Sequence, residues 1–179
     1  VRRRLKGNIM TEKFIPNLIL EDTKIILKNF EGRASEYNAE GNRNFGVLLT
    51  PEQAELAERD GWRVRFLKPR DSEDEPQPWI KCNVAWRNRM GERVKNPPRV
   101  VMVTGRGKSD IQEHTAKILD WADIEKVDVT MRPYTNREGL ANGYLKTMYV
   151  TVREDDFERK YYDIPDVDDY EPDLSEMEA

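Results

Sequence analysis

The sequence predicts a mainly β fold, a small barrel or sandwich with two short helical insertions. Short segments rich in β-branched and aromatic residues recur along the chain, and several alternate strictly between apolar and polar. Gly-, Pro- and Asn-rich stretches separate them, and only two stretches read as helices. The 179 residues, 37% apolar and 36% charged, suit one domain with a heavily charged surface.

The elements follow in order. Residues 18–30, LILEDTKIILKNF, suit a strand, and 31–44 form a polar connection punctuated by glycine. NFGVLLT (44–50) reads as a strand. Thr50-Pro51-Glu52-Gln53 then starts a helix, with Thr50 as N-cap, Pro51 in the first turn and Gln53 completing a capping box; Gly61 ends it. WRVRFL (62–67) and WIKCNVAWR (79–87) alternate as strands on either side of the turn-rich loop 68–78. RVVMV (99–103) is a strand, DIQEHTAKIL has a helical look, and TAKILDWADI (115–124) reads as a short helix. KVDVTMRPY (126–134) and YLKTMYVTV (144–152) are two further strands, six or seven in all.

Three regions are expected. Residues 1–9 are basic, aperiodic and precede Met10; the chain begins with Val, and Met10 is expected to be the start, leaving 1–9 as a non-native or upstream leader. Residues 10–162 form the folded domain. Residues 163–179 carry eight acids, no base and two prolines, too little apolar content to fold alone, and are expected to be a disordered interaction tail. Residues 154–179 have a net charge of −10 and residues 1–153 a net charge of +6. A basic body suits polyanions, while the acidic end repels or mimics them.

Composition also excludes chemistry. One histidine (His114) and one cysteine (Cys82) leave almost no material for a zinc site or Ser/Cys–His catalysis. Cys82 alternates with Ile80 and Val84 and reads as a core residue, with no disulfide partner. The acids Asp71, Glu73, Asp74 and Glu75 share one loop and read as solvated, not as a metal site. No apolar run approaches the ~20 residues of a membrane span, and the basic start lacks the apolar stretch of a secretory leader. A cytoplasmic protein with no membrane role, no metal and no cofactor is expected.

VVMVTGRGKS (100–109) resembles the strand-to-loop entry of a phosphate-binding P-loop. Gly107-Lys108-Ser109 supplies the end of G-x-x-x-x-G-K-[S/T], but Met102 occupies the opening glycine position, so the loop is too short to cradle a triphosphate. An NTPase is the less favoured reading. Arg106 and Lys108 remain candidates for contact with a nucleic-acid backbone.

Strand parity sorts the remaining side chains. Trp62, Val64 and Phe66 point inward, and Arg63 and Arg65 outward. Ile80, Cys82, Val84 and Trp86 point inward, and Trp79, Lys81, Asn83 and Arg87 outward. Val127, Val129 and Met131 leave Thr130, Arg132 and Tyr134 outside; Met148, Val150 and Val152 leave Thr147 and Tyr149 outside. The outer faces thus combine Arg63, Arg65, Lys81, Arg87 and Arg132 with Trp79, Tyr134 and Tyr149. Base rings stack on exposed aromatics while Arg and Lys pair with phosphates, and a duplex hides its base faces, so such a surface favours single strands.

NFEGRASEYNAEGNRNFGVLL, GWRVRFLKPR, VVMVTGRGKS, LDWADI and GYLKTMYVTV, followed by an acidic end, resemble the small phage and prophage single-stranded DNA-binding proteins, over about Thr23 to Tyr161. The resemblance implies an OB-fold-like β-barrel with added strands and two short helices, a groove for single-stranded DNA, no enzymatic activity and no cofactor. It implies a role in phage replication or recombination inside a bacterial host, with a homo-oligomer possible. Under it, Arg106 and Lys108 sit on a barrel loop. The acidic tail, with Asp166, Asp168, Asp169, Tyr170 and Asp173, recruits replication or recombination proteins and competes with DNA. Such tails often end in an aromatic residue; this one ends Ser-Glu-Met-Glu-Ala, with Tyr170 as its nearest aromatic. The alternative is an interaction protein whose acidic tail mimics DNA.

Overall fold

The computed structural model describes residues 14–155; the expected leader 1–9 and the acidic tail 163–179 lie outside the described residues. Its strands are β1 (Leu18–Thr23), β2 (Ile25–Asn29), β3 (Arg43–Leu48), β4 (Arg65–Leu67), β5 (Gln77–Val84), β6 (Arg99–Thr104), β7 (Gly107–Ile111), β8 (Ile124–Thr135) and β9 (Ala141–Val152). Its helices are α1 (Pro51–Asp60) and α2 (Ile118–Trp121), with a 3-10 turn at Glu113–Thr115.

All nine strands join one sheet. Its main path runs β1-β8-β9-β5-β3-β2, with β4 on β5, β6 on β9, and β7 on β6. β8 lines one side of β9 along its length, so β5 (at Gly143 and Tyr144) and β6 (at Thr147 to Thr151) share the other. No ladder pairs β1 with β2, so hydrogen bonds do not close the sheet. Its two ends are nevertheless one chain segment, joined through Lys24. One bent strand thus serves both ends of a partly open barrel, the OB-fold-like arrangement expected.

That bend corrects the single strand expected over 18–30. Both ladders slip in register there, between Leu20 and Thr23 and between Ile26 and Asn29, and Asp22 and Leu27 adopt positive φ of 50° and 53°. A bulge with an unusual backbone turns the strand from one partner to the other. Thr23 fixes the corner by donating its hydroxyl to Leu48 O at 2.6 Å.

Inward-facing side chains build one core. Phe30 and Phe45 stack with ring centroids 5.2 Å apart, among Val47, Ile80, Leu119, Met131, Leu145 and Met148. Trp62, Trp86 and Cys82 are buried, as their parity implies, and burial pushes the Cys82 thiol far above its ordinary range. α1 forms as read. Gln53 N–H donates to Thr50 Oγ1, Thr50 N–H donates to Gln53 Oε1, and Gly61 ends the helix in the left-handed region at φ 104°.

Three expectations need correction. The strand expected at 62–67 begins only at Arg65, and Phe66 is 55% exposed because β4 is a short edge lying beyond the core. The strand expected at 79–87 ends at Val84, so Arg87 lies past the ladder. The helix suggested by DIQEHTAKIL is absent. Gly105-Arg106 is a two-residue turn, Lys108-Ser109-Asp110 lies within β7, and only one α-helical turn follows at α2. A strand–hairpin–strand path offers no helix N-terminus behind the glycines, and the P-loop reading fails on that geometry.

Candidate nucleic-acid interface

Residues opposed across a ladder share a face of the sheet. On β5, Pro78, Ile80, Cys82 and Val84 are buried, which turns Trp79, Lys81 and Asn83 outward. The ladders extend that face in both directions. Arg65 of β4 lies opposite Trp79, and Gly46 of β3 opposite Lys81. Tyr144 of β9 aligns with Asn83, Arg132 of β8 lies opposite Tyr144, and Tyr134 opposite Asn142. Further along β9, Thr147 and Tyr149 align with Arg99 and Val101 of β6.

Three ring contacts organise the surface. The Arg65 guanidinium lies 5.5 Å from the centroid of Trp79, and that of Arg99 lies 5.9 Å from Tyr149. Tyr134 and Tyr144 meet edge to face at 5.3 Å. Each pairing restrains an aromatic ring before any ligand arrives, which lowers the entropic cost of stacking on it.

Most cations on this face are uncompensated. Among the described residues, no ion pair involves Arg63, Arg65, Lys81, Arg99, Arg132 or Lys146. Burial, and then the charge of Arg63, lowers the pKa of Arg65; burial, and then the charge of Arg65, lowers that of Lys81. Three cations therefore repel one another beside Trp79 with no carboxylate between them. Arg65 Nε is buried without a hydrogen-bond partner, and so is Asn142 Oδ1 further along the face. An anion bound there relieves both the repulsion and the unmet donor. Arg99, Arg132 and Lys146 also line, with Asn96, Pro97 and Thr147, a groove of about 440 Å³. Two acids share the face: Asp128, opposite Tyr149, accepts the backbone N–H of Asp22 at 2.8 Å, and Asp110 of β7 lies opposite Val101, the β6 residue aligned with Tyr149.

The expected site residues divide by position. The ladders bring together Arg65, Trp79, Lys81, Arg132, Tyr134 and Tyr149, and Arg63 flanks Arg65 from the segment after α1, its backbone N–H held by Ala141 O at 2.9 Å. Arg106 and Lys108 lie on the β6–β7 hairpin, where Glu154 Oε1 accepts the Gly105 N–H at 3.0 Å. Arg87 stands apart. Its Nε lies 3.0 Å from Glu113 Oε1, its Nη1 donates to Gly91 O, and it lines a separate concavity with Arg43, Arg93, Gln112, Glu113 and His114. The tail residues Asp166, Asp168, Asp169, Tyr170 and Asp173 lie outside the described residues.

Sequence parity missed Tyr144, Lys146 and Arg99. The β8–β9 ladder slips between Thr130 and Met131, so Gly143 and Leu145 point inward together with Met148 and Val150. The signal was present: an apolar Leu145 and a basic Lys146 are both out of phase with Met148 unless a bulge intervenes. Arg99 opens β6 directly after Pro97-Pro98 and is recognisable only through its pairing with Thr147.

A partly open β-sheet bearing restrained aromatic rings and unpaired bases on one face is the equipment of a single-strand-binding sheet. Residues 9–178 match the family described as "Putative phage ssDNA-binding domain", and the chain belongs to that family of phage single-stranded DNA-binding proteins. Among solved structures, it is similar to the single-stranded DNA-binding protein from bacteriophage Enc34 in complex with ssDNA, at 15% identity, over 78% of this chain and 87% of that one, with a TM-score of 0.46. The C-terminal truncation of the Enc34 protein matches at 13% identity over the same shares, with a TM-score of 0.43. The single-stranded DNA-binding protein gp2.5 of bacteriophage T7 matches at 13% identity over 88% of this chain and 98% of that one, with a TM-score of 0.34. No curated protein matches the chain. Among the described residues, no helix is long and apolar enough to cross a membrane.

Proposed function

We propose that this protein coats single-stranded DNA along the outer face of its sheet, as a non-enzymatic binder in phage replication or recombination within the host cytoplasm. Bases stack on Trp79, Tyr134, Tyr144 and Tyr149. Phosphates pair with Arg63, Arg65, Lys81, Arg99 and Arg132, and Arg106 and Lys108 extend the path along the hairpin. The observation that carries this reading is the carboxylate-free cluster of Arg63, Arg65 and Lys81 beside Trp79, with its buried, unpartnered Arg65 Nε. A cluster of repelling cations is disfavoured unless a polyanion joins it, and Trp79 supplies the adjoining surface for a base.

The acidic tail, with Asp166, Asp168, Asp169, Tyr170 and Asp173, serves two ends in this reading. It recruits replication or recombination proteins, and it competes with DNA for the basic face. The test is a gel shift of the full chain with single-stranded and duplex oligonucleotides of equal length at two salt concentrations. Tighter binding to the single strand, weakening steeply with salt, is the expected result. Equal affinity for the duplex, or none for either, would overturn the reading.

A further inference from the structure

Four strands pair on one side only among the described residues: β1, β2, β4 and β7. A strand edge of that kind offers a row of N–H and C=O groups to another chain unless something blunts it. β1 and β2 are blunted by register slips and by positive φ at Asp22 and Leu27. β4 is three residues long and lies beside the repelling Arg63, Arg65 and Lys81, which would repel the same edge of a second copy. β7 is free of these devices apart from a positive φ of 130° at Gly107, the residue that ends the turn. Its five residues pair with β6 without a slip, it contains no proline, and Lys108, Ser109 and Asp110 are exposed.

The charges of β7 are self-complementary. Laid antiparallel against a second copy about a two-fold axis at Ser109, Gly107-Lys108-Ser109-Asp110-Ile111 sets Lys108 opposite the partner's Asp110, and Asp110 opposite the partner's Lys108. Ser109 meets the partner's Ser109 on the axis. Neither Lys108 nor Asp110 takes part in an ion pair among the described residues. Opposite charges facing across an antiparallel pair stabilise it, and here symmetry supplies the pair twice. We infer that β7 is a self-association edge, joining two copies of this chain into one continuous sheet.

The geometry has a consequence for ligand binding, and that part alone rests on the proposed function. Lys108 and Asp110 lie opposite Val103 and Val101, which align in turn with Thr151 and Tyr149 of β9. They therefore share the face of Tyr149 and Arg132. Because paired residues stay on one face, the two copies present their aromatic and basic surfaces to the same side. Because the two-fold reverses the path on the second copy, the dimer would hold two segments of single strand running antiparallel.

Two measurements without nucleic acid test the pairing. Opposed Cα atoms of an antiparallel pair lie about 4.5–5.5 Å apart, within the ~4.4–6.8 Å of a disulfide. Ser109→Cys should crosslink two full-length chains under mild oxidation, much faster than Ser72→Cys in the exposed 68–76 loop. Cys82 is buried and stays out of the reaction. Sedimentation at low salt should show a concentration-dependent dimer for the unaltered chain. Asp110→Lys alone or Lys108→Asp alone should weaken it roughly tenfold or more, and the double exchange should restore it. Crosslinking no faster than the Ser72 control, or a dimer indifferent to both single exchanges, would overturn the inference. A dimer from a protein that ignores single-stranded DNA would leave it standing and remove the proposed function instead.

Discussion

Gly46 forms the floor beneath Trp79. A Cβ at position 46 would stand 2.7 Å from Cε3 of the indole and 3.0 Å from Cγ1 of Ile26, closer than such atoms approach. The glycine lets the ring settle against β3, where the Arg65 guanidinium lies over it. The floor, the ring and the cation come from three strands, β3, β5 and β4, so the ring's position is a product of the ladders.

Gly46→Ala should displace the indole and weaken single-strand binding without altering any residue that contacts DNA in the proposed mode. Overfilling a packed site of this kind typically costs about 1–3 kcal/mol of stability. A double-mutant cycle separates the two effects. In a Trp79→Ala background, adding Gly46→Ala should change affinity little, because the ring it displaces is gone. Additive losses would mean that Gly46 acts elsewhere.

Trp79→Ala and Tyr134→Ala should each weaken binding to poly-dT by about 1–3 kcal/mol, the usual worth of one base stacked on an aromatic ring. Both side chains lie on the outer face, so thermal stability should change far less than affinity. Fluorescence titration and a melting curve on each variant give the comparison. Unchanged affinity in both variants would place the bases on another surface.

The charge cluster makes a separate demand on salt dependence. Lys81→Ala and Arg65→Ala should each reduce the log–log slope of affinity against salt by about 0.7, one single-strand phosphate contact apiece. Arg65→Ala should also let the Lys81 pKa rise, since the charge of Arg65 holds it down after burial. Heteronuclear NMR titration of the lysine reads that shift. A Lys81 pKa that stays put would mean burial alone depresses it.

Much of the fold was legible because its signals are local. Thr50, Pro51, Gln53 and Gly61 specify α1 within twelve residues, and the alternation in 79–84 sorts Trp79 and Lys81 from Ile80 and Cys82. What was hidden depends on partners far along the chain. β7 has four exposed residues in a row and no apolar alternation; it is a strand because β6 pairs with it across a two-residue turn. Tyr144 joins the face only because the β8–β9 ladder slips, and a slip shifts every later side chain to the opposite face. Arg87 left the face because β5 ends at Val84, after which Glu113, 26 positions along, captures its guanidinium.

The acidic tail carries the last prediction. Residues 163–179 bear eight negative charges and no positive one, against a body whose net charge is positive. The chain reaches the end of the described residues beside the β6–β7 hairpin, where Glu154 accepts the Gly105 N–H. The described chain thus ends next to Arg106 and Lys108, at the margin of the basic face. A tethered competitor acts at an effective concentration of up to about mM, far above that of a free acidic peptide in ordinary assays. Truncation before Asp163 should therefore tighten single-strand binding. The gain should be largest at low salt, where the screening length is long, and should fade as salt rises. Binding isotherms of the full and truncated chains at low and high salt read the effect. Equal affinities at low salt would confine the tail to recruiting proteins. Weaker binding after truncation would mean that residues beyond 162 contribute contacts of their own, and would move part of the interface off the sheet.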